Sequence, residues 1–445
     1  MRVIVQKVKE ASCKVEDKIT GKIDNGLMLL VGFTKGDNPE IIEKMASKIV
    51  NLRIFEDDNN VMNLSLLDVK GSILSISQFT LYADTKKGNR PSYINALNGE
   101  EAIKLYNLFN EELRKYTKVE EGIFGADMDI SLINSGPTTI ILERWKMKIL
   151  CVGQSAYDIT IPTDGYPEEN KKYKINEVLE CGGGSANNAS YLLAKWHDEV
   201  YLASPIGMDD YGKKIKEELL SVGVNIKYIE EIDGVHTTTS YIINNKVNGS
   251  RTIVTNRDSR LHFSYDFEID LEPDVILFDG NDFEMSLKVI NKYPNAIKII
   301  DAGNMKEGIV ELAKRCDYVV CSNDFAREYT NINFNYQNRL QIEEVYDKLA
   351  SDFNGHVIIT LEQMGSLTKI NNEFKLVPSI KVESVDSTGA GDIYHGAFIH
   401  FIKEGYSLLD TMKYSNIAGA LSVMKIGSKN SMPSLEDVVN YHELW

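Results

Sequence analysis

Leu142-Glu143-Arg144-Trp145-Lys146-Met147-Lys148-Ile149-Leu150-Cys151-Val152-Gly153 divides the chain. A strand-like run ends in charged residues. From Met147 a short apolar run closes on a glycine, the way the first strand of an α/β domain begins. No Pro/Gly/Ser-rich linker intervenes, so the boundary falls near residue 146, and two closely tethered domains, 1–146 and 147–445, are expected. Downstream, apolar runs at Val275–Phe278, Ile297–Asp301, Tyr318–Cys321 and Val357–Leu361 alternate with helical stretches. That alternation predicts a mainly parallel sheet covered by helices. Upstream, Val3, Val5 and Val8, Leu27–Gly32 and Ser72–Leu81 read as strands, and Pro39–Phe55 and Gly99–Lys115 have helical spacing. Asp127–Ile133 and Thr138–Leu142 read as two strands broken by Asn134-Ser135-Gly136-Pro137. The fold class is α/β throughout, with a strand-rich core in the first domain. Asn331–Asn338 reads as a surface loop.

Bulk properties narrow the function. Hydrophobic residues at 43% and charged residues at 26% describe a globular chain, not a disordered or fibrous one. There is no apolar run of membrane-spanning length and no export signal, which points to the cytoplasm. The five cysteines, Cys13, Cys151, Cys181, Cys316 and Cys321, include no Cys-x-x-Cys pair, and the seven histidines are scattered. Reduced buried thiols are expected, and no metal-ligand set is read. Residues 1–146 hold 20 Lys/Arg against 21 Asp/Glu, a net −1 of the chain's −16. The other −15 lies in residues 147–445, which would repel a polyanion. DNA is not an expected partner, and any contact with tRNA belongs to a local surface of the first domain.

Residues 1–146 contain no histidine and one cysteine, so a Ser/His or Cys/His nucleophile pair is excluded there. Two segments stand out: Ser77-Gln78-Phe79-Thr80-Leu81 at a strand end, and Asn134–Thr138, whose Gly136-Pro137 step marks a turn and a place for a cis bond. With Asn51–Glu56, Met62–Asp68, Ser77–Asp84, Arg90-Pro91-Ser92, Phe124–Met128 and Asn134–Pro137 in order, residues 1–143 resemble the D-aminoacyl-tRNA deacylase family. The resemblance implies a homodimer acting on aminoacyl-tRNA without a cofactor. It implies that Gly136 and Pro137, through a cis bond, hold the amino group of a D-residue in the partner's site, and that Ser77, Gln78, Phe79 and Thr80 line the ester. An aminoacyl ester is already activated, so such a site has mainly to position it and stabilise an oxyanion. Backbone N–H groups near Gln78 and Phe79, a water held by Thr80, or the ribose 2′-OH are the open routes.

In the second domain no Walker-type phosphate loop occurs. Two glycine-rich segments do: Cys181-Gly182-Gly183-Gly184-Ser185-Ala186-Asn187-Asn188-Ala189 before a helical run, and Asp386-Ser387-Thr388-Gly389-Ala390-Gly391-Asp392 before another. Gly389, Ala390 and Gly391 let backbone N–H groups converge at a helix N-terminus as an anion site. An acid placed beside an anion site costs electrostatic energy unless it has a task, and Asp392 suits proton abstraction from an attacking hydroxyl. A plain packing turn with a helix-start acid is the bland alternative. Together the segments resemble the ribokinase-like (PfkB) sugar and nucleoside kinase family over about residues 147–440. The likeness is supported by Val152-Gly153, Ile358-Ile359-Thr360 before Gly365, Asn416–Ala420, Gly427 and Pro433. It implies ATP as co-substrate with Mg²⁺, and Asp392 as general base. Gly389, Ala390 and Gly391 would meet the transferred phosphoryl group, and Asp158, Gly183 and Asn187 the acceptor hydroxyls. Asn323, Thr360 and Asn416 would lie on the nucleotide side, and residues ~161–175 and ~238–255 would form a small β lid. Two positions depart from the family pattern. Ala326 stands where Asn-x-x-Glu would place its Glu after Asn323, which brings Mg²⁺ handling into question, with Asp324 or Glu328 as substitutes. Glu362 stands where a glycine often follows the Thr-Leu pair. The expected protein is a bifunctional deacylase and kinase; the competing reading keeps the deacylase and makes the second domain a non-catalytic sugar- or nucleotide-binding sensor.

Overall fold

The computed structural model describes residues 1–34, 37–85, 90–143, 147–335 and 338–443. Its contacts divide into two compact units, Met1–Trp145 and Lys146–Trp445; Arg144, Trp145 and Lys146 at the expected boundary lie outside the described residues.

The first unit is built on a six-stranded sheet: β1 (Arg2–Val15), β2 (Lys18–Ile23), β3 (Gly26–Gly32), β4 (Ser72–Ser77), β5 (Val119–Glu121) and β6 (Asp129–Glu143). β1 pairs antiparallel with β2, β3 and β6, while β3–β4 and β4–β5 are parallel. Helices α1 (Pro39–Val50) and α2 (Gly99–Arg114) bury Ile42, Met45, Ile49, Tyr106, Phe109 and Leu113 against Val3, Val5, Leu27 and Leu29. Asn38 and Asn98 cap them by accepting the N–H of Ile41 and Glu101. α1 stops short of the expected Phe55, because Asn51 turns back onto the Ser47 carbonyl and Phe55 pairs with Leu64 in a two-stranded ladder. β6 is one strand, not two. Its pairing with β1 continues on both sides of residues 135–138, which bulge outward opposite Lys7.

The second unit has a nine-stranded sheet and a four-stranded one. Its strands are β7 (Lys148–Val152), β8 (Ala156–Thr163), β9 (Leu179–Gly183), β10 (Glu199–Gly207), β11 (Asn225–Ile232), β12 (Thr239–Asn245), β13 (Ser250–Asn256), β14 (Val275–Phe278), β15 (Ile297–Ala302), β16 (Tyr318–Ser322), β17 (His356–Thr360), β18 (Ser366–Ile370) and β19 (Glu373–Val377). The large sheet runs β11-β10-β7-β14-β15-β16-β17-β18-β19. It is parallel through β17 and antiparallel beyond. Its central strands are apolar at nearly every position because helices cover both faces. β7, first in sequence, lies between β10 and β14. Strand order reverses there, opening a crevice at the carboxyl ends. The helices that matter for this crevice are α3 (Ser185–Lys195), α4 (Asp210–Val222), α5 (Asn323–Thr330), α6 (Ala390–Lys403) and α7 (Leu408–Ser422).

The small sheet, β9-β8-β12-β13, is the β lid. The expected segment 238–255 is its β12–β13 hairpin. Of 161–175 only Ile161–Thr163 belongs to a strand, and the rest is irregular. Asn331–Asn338 is free of helix and strand where described, with Tyr336 and Gln337 outside the described residues.

Candidate functional site

In the first unit Ser77 ends β4, and Gln78 leads into a short 3-10 turn, Phe79–Tyr82. The Gln78 N–H donates to the Val31 carbonyl at 2.7 Å. It is therefore spent on the fold and cannot serve an oxyanion, which corrects that expectation. The N–H groups of Phe79 and Thr80 open the turn, where no earlier carbonyl of the turn reaches them. Neither has a partner among the described residues, so the free donor pair sits one residue further on. The Gln78 carboxamide instead donates to the Thr80 hydroxyl at 2.5 Å and orients it. Phe79 is 57% exposed, edge-on to Tyr93 at 5.1 Å.

The Gly136–Pro137 bond is cis. Gly136 has φ +116°, which a side chain rarely tolerates, and a Cβ there would lie 2.7 Å from the Thr138 Oγ1. Gly136 and Pro137 project from the β6 bulge into solvent, while Thr138 is buried behind them. Among the described residues no hydrogen bond joins this bulge to Ser77–Thr80.

In the second unit, sequence-distant residues gather at the crevice. Asp158 on β8 is 5% exposed. Gly183 on β9 has to be glycine, because a Cβ would meet the Asp158 carboxylate at 2.0 Å. Burial pushes the Asp158 carboxyl up to about 6; Asp392 and Glu218 add to the rise, while Ser240 and Lys429 oppose it. Asn187, in the first turn of α3, is fully buried. Its Oδ1 accepts from the Lys429 ammonium at 2.6 Å, and its Nδ2 donates to the Ser155 Oγ at 3.3 Å. Asp392, in the first turn of α6, accepts from the Asn188 Nδ2 at 2.7 Å. Burial raises its pKa above the ordinary carboxylate range and the nearby Asp301 carboxylate adds to this, while Asn188, His395 and Ser185 oppose it. His395, one turn on, donates from Nδ1 to the Gly391 carbonyl at 2.6 Å and lies 3.6 Å from Asp301.

The glycines at the start of α6 differ in kind. Gly389 adopts φ +77° and packs against Ser428. Gly391 has no such φ, and a Cβ there would meet nothing within 4 Å. Neither conformation nor packing accounts for it; its carbonyl accepts from His395, and its N–H has no partner among the described residues. The turn before it is tied down by buried Asp386, which accepts from the Thr388 N–H and hydroxyl and from the Gly427 N–H.

On the nucleotide side, Ser322 and Thr360 are in register at the ends of β16 and β17, and Asn323 follows as the first residue of α5. The Thr360 hydroxyl donates to the Cys321 carbonyl at 3.3 Å. Asn416 on α7 donates to the Val377 and Pro378 carbonyls at 2.9 and 3.2 Å. Its carboxamide N–H groups therefore shape a wall. The wall belongs to a cavity of about 580 Å³ lined by Phe374, Val377, Pro378, Leu409 and Lys413.

Sequence reasoning assigned no role to four of these residues. Lys429, from the run after α7, is buried; burial pulls its ammonium down to about 8 against the opposing pull of Glu218, Cys181, Asp158 and Asp392. Glu218 on α4 accepts the Gly182 N–H at 2.8 Å. Asn188 bridges to Asp392. Buried Asp279 accepts from the N–H groups of Gln154, Ala186 and Asn281, pinning the Gly153–Ser155 loop to the start of α3. The one available signal was Lys429 itself, a lysine between Gly427 and Pro433.

Among the described residues no group of three or more His, Cys, Asp or Glu is placed to hold a metal. The oxygen donors at the crevice suit a hard cation such as Mg²⁺, which keeps waters and takes substrate phosphates as ligands.

The family description D-Tyr-tRNA(Tyr) deacylase matches residues 4–143, and pfkB family carbohydrate kinase matches residues 146–435. Among solved structures, the ribokinase from Thermotoga maritima is 25% identical with a TM-score of 0.57, over 67% of this chain and 99% of its own. The Arabidopsis thaliana ribokinase complexed with ribose and ATP is 22% identical with a TM-score of 0.58, over 66% and 98%. The nucleoside kinase of Methanocaldococcus jannaschii is 21% identical with a TM-score of 0.55, over 67% and 99%; like the plant protein, it shows the fold. With the whole crevice and both matches in view, the chain belongs to the pfkB carbohydrate kinase family through its larger unit and carries a D-Tyr-tRNA(Tyr) deacylase-family domain ahead of it.

Proposed function

We propose that the chain is a bifunctional enzyme: a D-aminoacyl-tRNA deacylase, and a kinase that moves the ATP γ-phosphoryl group to a hydroxyl of a sugar or nucleoside. The kinase reading rests above all on Asp392, a carboxylate of raised pKa in the first turn of a helix where the Cα of Gly391 faces open space. In that reading Asp158 and Asn187 hold the acceptor hydroxyls. Asp392 takes the proton of the attacking hydroxyl, whose oxygen bonds to the γ-phosphorus as the bond to ADP breaks. The N–H groups of Gly389 and Gly391 meet the charge on the transferred group, while that of Ala390 donates to the Ser387 carbonyl at 3.4 Å. Mg²⁺, when bound, would offset the phosphate charge, with Asn323 as an oxygen donor on that side. ADP release across a panel of sugars and nucleosides tests this, and Asp392→Asn is expected to lower turnover by about 10²–10⁴-fold. Binding of an acceptor without ADP release would identify a sensor instead.

The deacylase reading rests on the free N–H pair of Phe79 and Thr80 beside the oriented Thr80 hydroxyl. Water adds to the ester carbonyl, the N–H pair stabilises the oxyanion, and the terminal ribose oxygen leaves. A homodimer would bring Gly136 and Pro137 of a second copy to this ester. Matched D- and L-tyrosyl-tRNA are the test. The D-ester is expected to be lost at least ~10²-fold faster, and Gly136→Ala, which cannot keep φ +116°, is expected to lose that preference.

A further inference from the structure

Two sequence departures meet in space. Ala326 is buried on α5 and brings no carboxylate to the nucleotide side. Because Ser322 and Thr360 are in register, Asn323 and the Leu361-Glu362 pair leave adjacent strand ends side by side. The buried Asn323 donates from Nδ2 to the Glu362 Oε1 at 3.4 Å. This is the one recorded partner of the Glu362 carboxylate among the described residues, and the side chain is otherwise exposed. Glu362 holds φ +51°, the left-handed conformation that favours glycine. A glutamate held in this conformation beside the buried Asn323 points to a use for its carboxylate. The two alternatives on α5 are placed differently. Asp324 is paired with Arg327 at 3.3 Å, and Glu328 is on the exposed face of the helix.

We propose that Glu362, together with Asn323, handles the divalent cation on the nucleotide phosphates, supplying from the turn after β17 the carboxylate that α5 lacks at position 326. Carboxylate and carboxamide oxygens at the carboxyl ends of parallel strands are the hard donors that a hydrated Mg²⁺ accepts, directly or through its waters. This inference rests on the kinase reading.

Calorimetric binding of the non-hydrolysable ATP analogue AMP-PNP to the full chain, with and without Mg²⁺, tests it apart from turnover. Wild type is expected to bind tighter with Mg²⁺. Glu362→Gln and Glu362→Gly are expected to lose about 5-fold or more of that gain while binding the metal-free nucleotide as wild type does. Glu362→Gly, relieved of the left-handed strain, is expected to melt no lower than wild type, so its loss cannot be laid to unfolding. Retention of the full Mg²⁺ gain by both variants, or its loss in Asp324→Ala or Glu328→Ala instead, overturns the proposal and leaves the kinase reading standing. Absence of nucleotide binding by wild type in either condition overturns both.

Discussion

Asp158, proposed to hold an acceptor hydroxyl, carries a stability cost that depends on pH. Its folded pKa of about 6 lies above the ordinary value of 3.8, so the folded state takes up the proton more readily than the unfolded one. Its favourable contribution is complete below pH 3.8 and is lost as pH rises through about 6. At pH 8 the buried, ionised carboxylate costs on the order of 3 kcal/mol. Asp158→Asn is therefore expected to raise Tm at pH 8 by at least about 2–4 °C, to change it little at pH 5, and to abolish saturable acceptor binding. Melting curves at both pH values and the acceptor KM check this. Asp392 was legible in the sequence from the small residues before it, and Asp158, Gly183 and Asn187 through the family resemblance. Lys429 was not, because its partner Asn187 is 242 positions away.

At the scale of elements, the start of α6 separates packing from function. Alanine at Gly391 meets no atom within 4 Å and improves helix propensity by about 0.5–1 kcal/mol. Gly391→Ala is expected to fold at least as stably as wild type while phosphoryl transfer falls about 10-fold or more, seen as unchanged or raised Tm beside reduced turnover. The sequence expects a helix to start at this turn, and α6 begins there at Ala390, since three small residues before an acid are a local signal. It misread β6, where Gly136-Pro137 looked like a break between strands. Pairing with β1 resumes beyond the bulge, and only the partner strand carries that information. α1 was overextended for a related reason. Periodicity continues past Val50, but Asn51 caps the helix and Phe55 is claimed by a neighbouring strand.

At the scale of the molecule, each unit has buried apolar clusters of its own among the described residues. Each unit thus has the core it needs to fold alone. A chain of residues 147–445 is expected to keep nucleotide-dependent turnover within about 2-fold and to have lost D-ester hydrolysis, which activity assays on the purified fragment read directly. The sequence by itself determined that there are two α/β units and which short segments are candidates for chemistry, because periodicity, glycine turns and helix-start residues act between near neighbours. Only the tertiary structure decided which groups remain free and which are spent. Gln78 gives its N–H to Val31, Asn416 gives its carboxamide to a strand end, and Glu362 reaches Asn323 from 39 positions away. Hydrogen bonds act over about 3 Å, and spacing along the chain does not report which strand ends the fold will bring that close.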